Sequence, residues 1–425
     1  MSDKKIQYAY VLSNSKDQSN DSLFEFLFLM TTVSFQPYHV FSQNVDVAHP
    51  AYYVGKGKLL EIKNTIESGT IIHPFFGLQK PEYLLLNFDV NPLQKKNIES
   101  ITGLIVIDRT SLILRIFEMN AKTKEAKLQV EIAKFNYMKT QLIDGQASYA
   151  QVTGGSRRAR GAGEKKIELN RRTIEQIVDY KEKQLEEIKQ SRRNMRVKRI
   201  KSSLPNIVLV GYTNAGKSTL MNLLLNATKA KDDKKVYVEN ELFATLETST
   251  RLINTYRYPR FIVTDTVGFI ENLPTFLVKA FRSTLEEIKE ADLIVHVVDV
   301  SSPIYVNHIQ ATNEVLKELG AGDIPTVYIY NKVDALTNGT PFIPHEGELL
   351  ASFISEADTD MILEFISESM TKNWMKKTVF VPYEDNFASF LSDNYVASYK
   401  EKESGYECVT HFNPKTLHKY SYLFK

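Results

Sequence analysis

A chain of 425 residues, 43% of them apolar, exceeds a single ordinary core and points to roughly three domains. Its one cysteine, Cys408, excludes an internal disulfide and fits a reducing cytoplasm; the residue itself reads as small, apolar and buried rather than reactive. The net charge of +2 conceals a segregation: residues 157–201 hold sixteen Lys or Arg against seven Asp or Glu, which points to a polyanionic partner more than to a solvated basic helix.

Residues 1–120 alternate short apolar runs with helical patterns. Strands are predicted at 7–12, 37–41, 83–88 and 104–107, and helices at 22–33, 59–67 and 92–100, an N-terminal α/β domain. The apolar run at 23–30 is broken by Glu25 and is far too short to span a bilayer, and the stretch at 8–12 is too short for a signal peptide. A soluble cytoplasmic protein with no membrane partner is therefore expected. Gly55-Lys56-Gly57-Lys58 lacks the spacing of a phosphate loop and reads as a tight turn that opens a helix.

Over 121–203 the period changes. Leu128, Ile132, Phe135 and Leu142 recur at helical intervals, and Ile174, Val178, Leu185, Ile188 and Met195 do so again after a glycine-rich gap. Two such stripes bury against one another as an antiparallel helical hairpin, although Lys181 and Arg192 interrupt the second. The tip between them, with Arg157, Arg158 and Arg160 among glycines, cannot bury a core. It is either a connector or a segment that orders on a phosphate-rich surface, and the arginine density favours the second.

Pro205 opens the next region, 204–370, with strands at 207–210, 261–264, 293–299 and 326–331 separated by helical patterns, the order of a mostly parallel sheet covered on both faces. The first strand runs into Gly211-Tyr212-Thr213-Asn214-Ala215-Gly216-Lys217-Ser218-Thr219 and then a helix. That is a P-loop: backbone N–H groups converge on phosphates, Lys217 adds a mobile positive charge and the Ser218 hydroxyl is placed for Mg2+. Asp265-Thr266-Val267-Gly268 ends the second strand, where a carboxylate supports the metal and a glycine N–H senses a γ-phosphate. Asn331-Lys332-Val333-Asp334 ends the fourth. An aspartate there accepts from the guanine N1–H and amine, whereas adenine would present it with an acceptor. Each tetrapeptide alone could be a turn; in this order, each at a strand end, they make a guanine-nucleotide (GTP/GDP) site.

Phe243-Ala244-Thr245-Leu246-Glu247 lies where a GTPase keeps the switch threonine that completes magnesium coordination, and Thr245 is the candidate, with Thr248, Ser249 and Thr250 as nearby competitors. Phe269 stands where Ras-like enzymes keep a water-orienting glutamine, so catalysis needs another group, a partner or a bound cation. Residues 371–425 read as a small C-terminal α+β domain with no assigned chemistry.

The set Tyr53-Val54-Gly55-Lys56-Gly57-Lys58, Asp108-Arg109-Thr110, Lys127-Leu128-Gln129-Val130-Glu131, Arg160-Gly161-Ala162-Gly163-Glu164, the P-loop, Phe243-Ala244-Thr245-Leu246, Asp265-Thr266-Val267-Gly268-Phe269 and Ala280-Phe281-Arg282-Ser283-Thr284-Leu285-Glu286-Glu287 resembles the HflX family of ribosome-associated GTPases. The resemblance implies binding of a monomer to the large ribosomal subunit and its RNA, with splitting or rescue of stalled or idle ribosomes under stress or antibiotic challenge. Asn214 also matches a cation-ligating asparagine of potassium-stimulated GTPases, which adds K+ as a candidate cofactor. Three positions depart from the family pattern: Ala162 replaces a proline in the tip, Glu247 replaces an aspartate, and Ile354-Ser355-Glu356 lacks the glycine-bearing turn that follows the base-holding Ser-Ala. Ser355 is the candidate base contact. The rival readings are a GTPase of RNA modification and a nucleotide-dependent RNA-binding scaffold with little hydrolysis.

Overall fold

The computed structural model describes residues 6–15, 20–68, 81–152, 169–188, 190, 204–228, 249–255, 257–269, 277, 286–336, 343–354, 356–415 and 417–424. The chain forms two compact units, one of Met1–Ile188 with Pro274–Ala280 and one of Lys189–Leu273 with Phe281–Lys425.

In the first unit, β1 (Gln7–Asn14), β2 (Phe35–Gln43), β3 (Tyr83–Leu86) and β4 (Ile105–Ile107) form a parallel sheet in the order β2-β1-β3-β4. Its helices are α1 (Asn20–Thr32), α2 (Lys56–Glu67), α3 (Pro92–Thr102) and α4 (Arg109–Asn120). The Gly-Lys-Gly-Lys stretch starts α2, with Gly55 as N-cap. Local chemistry sets the ends of α3: Asn91 and Gln94 make a reciprocal capping box, Pro92 occupies the first turn, and Gly103 closes the helix at φ 72°. Sequence periodicity did not single out α4. Asp108 starts it by accepting from the Ser111 N–H at 2.8 Å, and Arg109 in its first turn makes a buried ion pair with Glu25 and donates to Asn87 Oδ1 at 2.7 Å.

The hairpin consists of α5 (Lys124–Val152) and α6 (residues 169–188). Ile132 and Phe135 pack against Ile174, Val178 and Leu185, the stripes expected to meet. Lys181, which breaks the apolar pattern, reaches Glu131 at 2.7 Å across the hairpin. Tyr137 donates to Asp108 and Gln141 donates to the Val90 carbonyl, so the middle of α5 is hydrogen-bonded to the α/β sheet domain. The tip arginines Arg157, Arg158 and Arg160 lie outside the described residues.

The second unit holds β5 (Asn206–Val210), β6 (Ser249–Ile253), β7 (Phe261–Asp265), β8 (Leu293–Asp299), β9 (Thr326–Asn331) and β10 (Glu348–Leu350) in the order β10-β9-β8-β5-β7-β6. Every pairing is parallel except β6 with β7. With α7 (Lys217–Asn226), α8 (Tyr305–Glu318) and α9 (Thr359–Thr371), this is a P-loop α/β fold, and its parallel strands bring Val210, Asp265, Asp299 and Asn331 to one edge of the sheet. Beyond it, β11 (Met375–Pro382), β12 (Tyr395–Lys402) and β13 (Gly405–Phe412) make an antiparallel sheet in the order β11-β13-β12, with α10 (Phe387–Asp393) beside it. Cys408 is fully buried in the core of this sheet.

The C-terminal sheet is joined to the P-loop fold through Tyr395, which enters the same core as Tyr258, and through Asp393. That carboxylate accepts from Arg260 at 2.7 Å, Lys419 at 2.6 Å and the Tyr420 hydroxyl at 2.7 Å. Burial raises its pKa, but the three hydrogen bonds outweigh burial and hold it below the ordinary carboxylate value. Asp393→Asn is expected to lower the unfolding free energy of this unit by about 1–3 kcal/mol at pH 7, read by urea unfolding. Because the native pKa is depressed, the contribution is complete above about pH 4 and is lost as pH falls through the native value, so wild type and variant should converge in acid.

Candidate nucleotide-binding site

Two glycines of the P-loop are required by geometry. Gly211 has φ 145°, and a Cβ on it would stand 2.2 Å from the Val297 carbonyl oxygen; Gly216 has φ 104°, and its Cβ would stand 2.3 Å from Asn331 Nδ2. Between them Asn214 also adopts a left-handed conformation at φ 62°. The turn delivers Lys217, Ser218 and Thr219 into the first turn of α7, so the helix N-terminus faces the loop. Tyr212 stacks on His308 of α8 with ring centroids 3.8 Å apart.

Lys217 is buried, and Nζ donates to the Gly211 and Tyr212 carbonyls at 2.9 Å each. Burial pushes its ammonium down to about 8, and the nearby Asp265 carboxylate opposes that shift. His296 on β8 is pushed down to about 3 by burial and then by Lys217, so it is a neutral ring beside the cation at neutral pH. A phosphate near Nζ raises the Lys217 pKa, so binding takes up a proton above pH 8. Nucleotide affinity is therefore expected to be flat from pH 7 to 8 and then to fall by up to about tenfold per unit toward pH 9, by calorimetric titration. An affinity unchanged at pH 9 would detach Lys217 from the phosphates.

Ser218 Oγ donates to Asp265 Oδ2 at 2.6 Å. These are hard oxygen donors brought together at the loop, a donor set that fits Mg2+. Thr266 reaches back to the Leu209 carbonyl at 2.7 Å and ties the end of β7 to β5. Val267 is buried, and at Gly268 a Cβ would lie 2.7 Å from Thr213 Cγ2 and 3.1 Å from Lys217 Nζ, so a glycine is required where this segment passes the P-loop. The Phe269 ring is buried, and its backbone pairs with the loop: Thr213 N–H donates to the Phe269 carbonyl at 2.8 Å, and Phe269 N–H to the Gly211 carbonyl at 3.2 Å.

At the other end of the loop, Asn331 Nδ2 donates to the Ala215 carbonyl at 2.9 Å and Asn331 Oδ1 accepts from the Phe353 N–H at 3.2 Å. Lys332, at φ 65°, pairs with Asp299 at 2.6 Å; a short 3-10 turn, Val333–Ala335, then presents Asp334. The Ser352 hydroxyl donates to Asp334 Oδ1 at 2.5 Å, and its backbone N–H donates to Asp358. The sequence points to Ser355 as the base contact, whereas the hydroxyl that meets Asp334 is that of Ser352. No local pattern marks Ser352, because the short strand β10 that places it has no pattern of its own. Ser355 lies outside the described residues, as do Phe243, Ala244, Thr245, Leu246 and Glu247.

Residues 206–332 match the family model described as 50S ribosome-binding GTPase, residues 120–199 the GTP-binding GTPase middle region, and residues 20–118 the GTP-binding GTPase N-terminal region. The chain is 36% identical to GTPase HflX of Caldanaerobacter subterraneus subsp. tengcongensis over 376 residues, 88% of this chain and 82% of the relative. Against GTPase HflX of Escherichia coli it is 36% identical over 79% of this chain and 74% of the relative, and against that of Flavobacterium psychrophilum 34% identical over 93% and 88%. A solved GTP-binding protein of Sulfolobus solfataricus in complex with GDP aligns over 86% of this chain and 99% of its own at 20% identity and a TM-score of 0.44, too low to bear on the site. Identity sustained across most of both chains, together with matches to the N-terminal, middle and GTPase models in sequence order, shows that this chain belongs to the HflX family of GTPases.

Proposed function

We propose that this GTPase binds the large ribosomal subunit in the cytoplasm as a monomer, uses its nucleotide state to control docking, and splits or rescues stalled ribosomes. The observation that carries this reading is the basic block at 157–201, sixteen Lys or Arg against seven Asp or Glu, in one chain with a GTPase domain matching the 50S ribosome-binding model. Lys217 neutralises the β- and γ-phosphates, Ser218 and Thr245 would hold magnesium with Asp265 supporting them, Gly268 reports the γ-phosphate, and Asn331 and Asp334 select guanine. When bound there, magnesium would supply charge neutralisation for the phosphates. Phe269 has no group to orient water, so turnover depends on the docked subunit or on a potassium ion that Asn214 would hold.

The test measures GTP turnover with and without large subunits, and subunit pelleting over a salt series for the variant in which Arg157, Arg158 and Arg160 are all alanine. Turnover is expected to rise on docking. The triple variant should flatten the log-log salt dependence by about two to three units with unchanged GTP affinity. A second reading, a nucleotide-dependent RNA-binding scaffold with slow hydrolysis, is favoured by the buried Phe269 ring. Equal turnover in sodium, in potassium and with added subunits would select it.

A further inference from the structure

Away from the nucleotide site, a cavity of about 720 Å3 lies in the first unit between α4, α5 and α6. That volume falls in the range of small-molecule sites, about 300–1,000 Å3. Its walls are apolar: Leu114 from α4, Met138 and Leu142 from α5, Ile174 from α6 and Pro92 at the start of α3. Met138 stays 42% exposed on α5, and a thioether side chain adapts to varied apolar shapes.

Three of the polar groups that border the cavity are engaged within the protein. Tyr137 donates to Asp108, Gln141 Nε2 donates to the Val90 carbonyl at 3.0 Å and the Tyr137 hydroxyl at 2.8 Å, and Thr173 donates to the Leu169 carbonyl at 3.0 Å. These three ask for no hydrogen bonds from a guest, and Ser111 and Asn170 are the other uncharged polar residues of the lining. At the rim, Lys134 and Glu118 pair at 3.0 Å and cancel. Arg115, also lining the cavity, makes no ion pair among the described residues; its guanidinium lies 5.3 Å from the Phe35 ring centroid. The cavity therefore combines an apolar interior with one net positive charge at its edge.

We propose that this cavity is a binding site for an amphipathic monoacid, an apolar aliphatic or fused-ring body bearing one carboxylate or sulfonate that meets Arg115. The body fills the space among Leu114, Met138, Leu142 and Ile174, and the acid group takes a charge-assisted hydrogen bond from the guanidinium at the rim. Because α4 belongs to the sheet domain and α5 and α6 to the hairpin, a guest touches both and stiffens the hairpin against the sheet domain. The site is independent of GTP chemistry.

The experiment titrates the full chain with 1-anilinonaphthalene-8-sulfonate, with its neutral counterpart N-phenyl-1-naphthylamine, and with laurate as competitor, followed by fluorescence. The expected result is saturable one-to-one binding of the sulfonate, with a Kd on the order of 10 μM, displaced by laurate. Met138→Trp, which fills the cavity from an exposed helix position, should weaken both probes by about tenfold or more. Arg115→Gln should weaken the sulfonate by about tenfold and leave the neutral amine within about twofold. GTP turnover, unchanged in both variants, serves as the control for folding. Non-saturating binding, or binding insensitive to Met138→Trp, would overturn the site, and equal losses of both probes in Arg115→Gln would overturn the acidic ligand class. A dimer mass in light scattering that Met138→Trp abolishes would assign the groove to a second copy and also overturn the proposal.

Discussion

Replacing Lys217 with alanine is expected to lower kcat/KM for GTP by about 10²–10³-fold while the melting temperature stays close to that of the wild type. The asymmetry follows from the environment of the side chain. Lys217 is buried and its ammonium is destabilised by burial, so deleting it relieves a desolvation cost while forfeiting two hydrogen bonds to the Gly211 and Tyr212 carbonyls. Those opposing terms leave little net change in the unliganded protein. Phosphate binding has no such compensation, because no other cation is placed at the loop centre among the described residues. Single-turnover kinetics and a thermal melt in parallel separate the two effects. Unaltered turnover would remove Lys217 from the phosphate site, and a collapsed melt would make its role structural.

Asp334→Asn is expected to exchange guanine for xanthine preference, with a swing in the GTP-to-XTP affinity ratio on the order of 10⁴. Ser352 strengthens this expectation. Its hydroxyl donates to Asp334 Oδ1, so in the variant the same hydroxyl holds the amide oxygen and directs the amide nitrogen toward the base. That nitrogen can donate to the extra carbonyl of xanthine, whereas guanine presents it with an amine. Ser352→Ala, which removes the positioning bond but keeps the carboxylate, should cost GTP affinity only about fivefold to tenfold, with no change of base preference. Competition between GTP and XTP measured on both variants checks the pair. An Asp334→Asn variant that binds GTP as wild type does would end base readout by this residue.

The features that the sequence alone determined are those governed by neighbours a few positions apart. Gly211 and Gly216 are legible because the P-loop spacing demands left-handed backbone there. The ends of α3 follow from Asn91, Pro92, Gln94 and Gly103, and the hairpin stripes follow from helical period. The segregated positive charge at 157–201 is likewise a property of composition. The antiparallel edge strand β6 and the short β10 were not legible, since each is a brief segment stabilised by pairing with a distant strand rather than by its own pattern.

Within the site, only the tertiary structure decided which residues meet. Asn331 holds the Ala215 carbonyl across 116 positions of sequence, Ser352 reaches Asp334 rather than leaving the base motif alone, and Phe269 fastens its segment to the P-loop by backbone pairing. Arg260 and Asp393, 133 positions apart, tie the end of α10 to the residue that precedes β7, the strand that carries Asp265. Such contacts depend on strand order and register. A shift of one residue turns a side chain to the opposite face of the sheet, and no pattern local to either partner encodes where the other will lie.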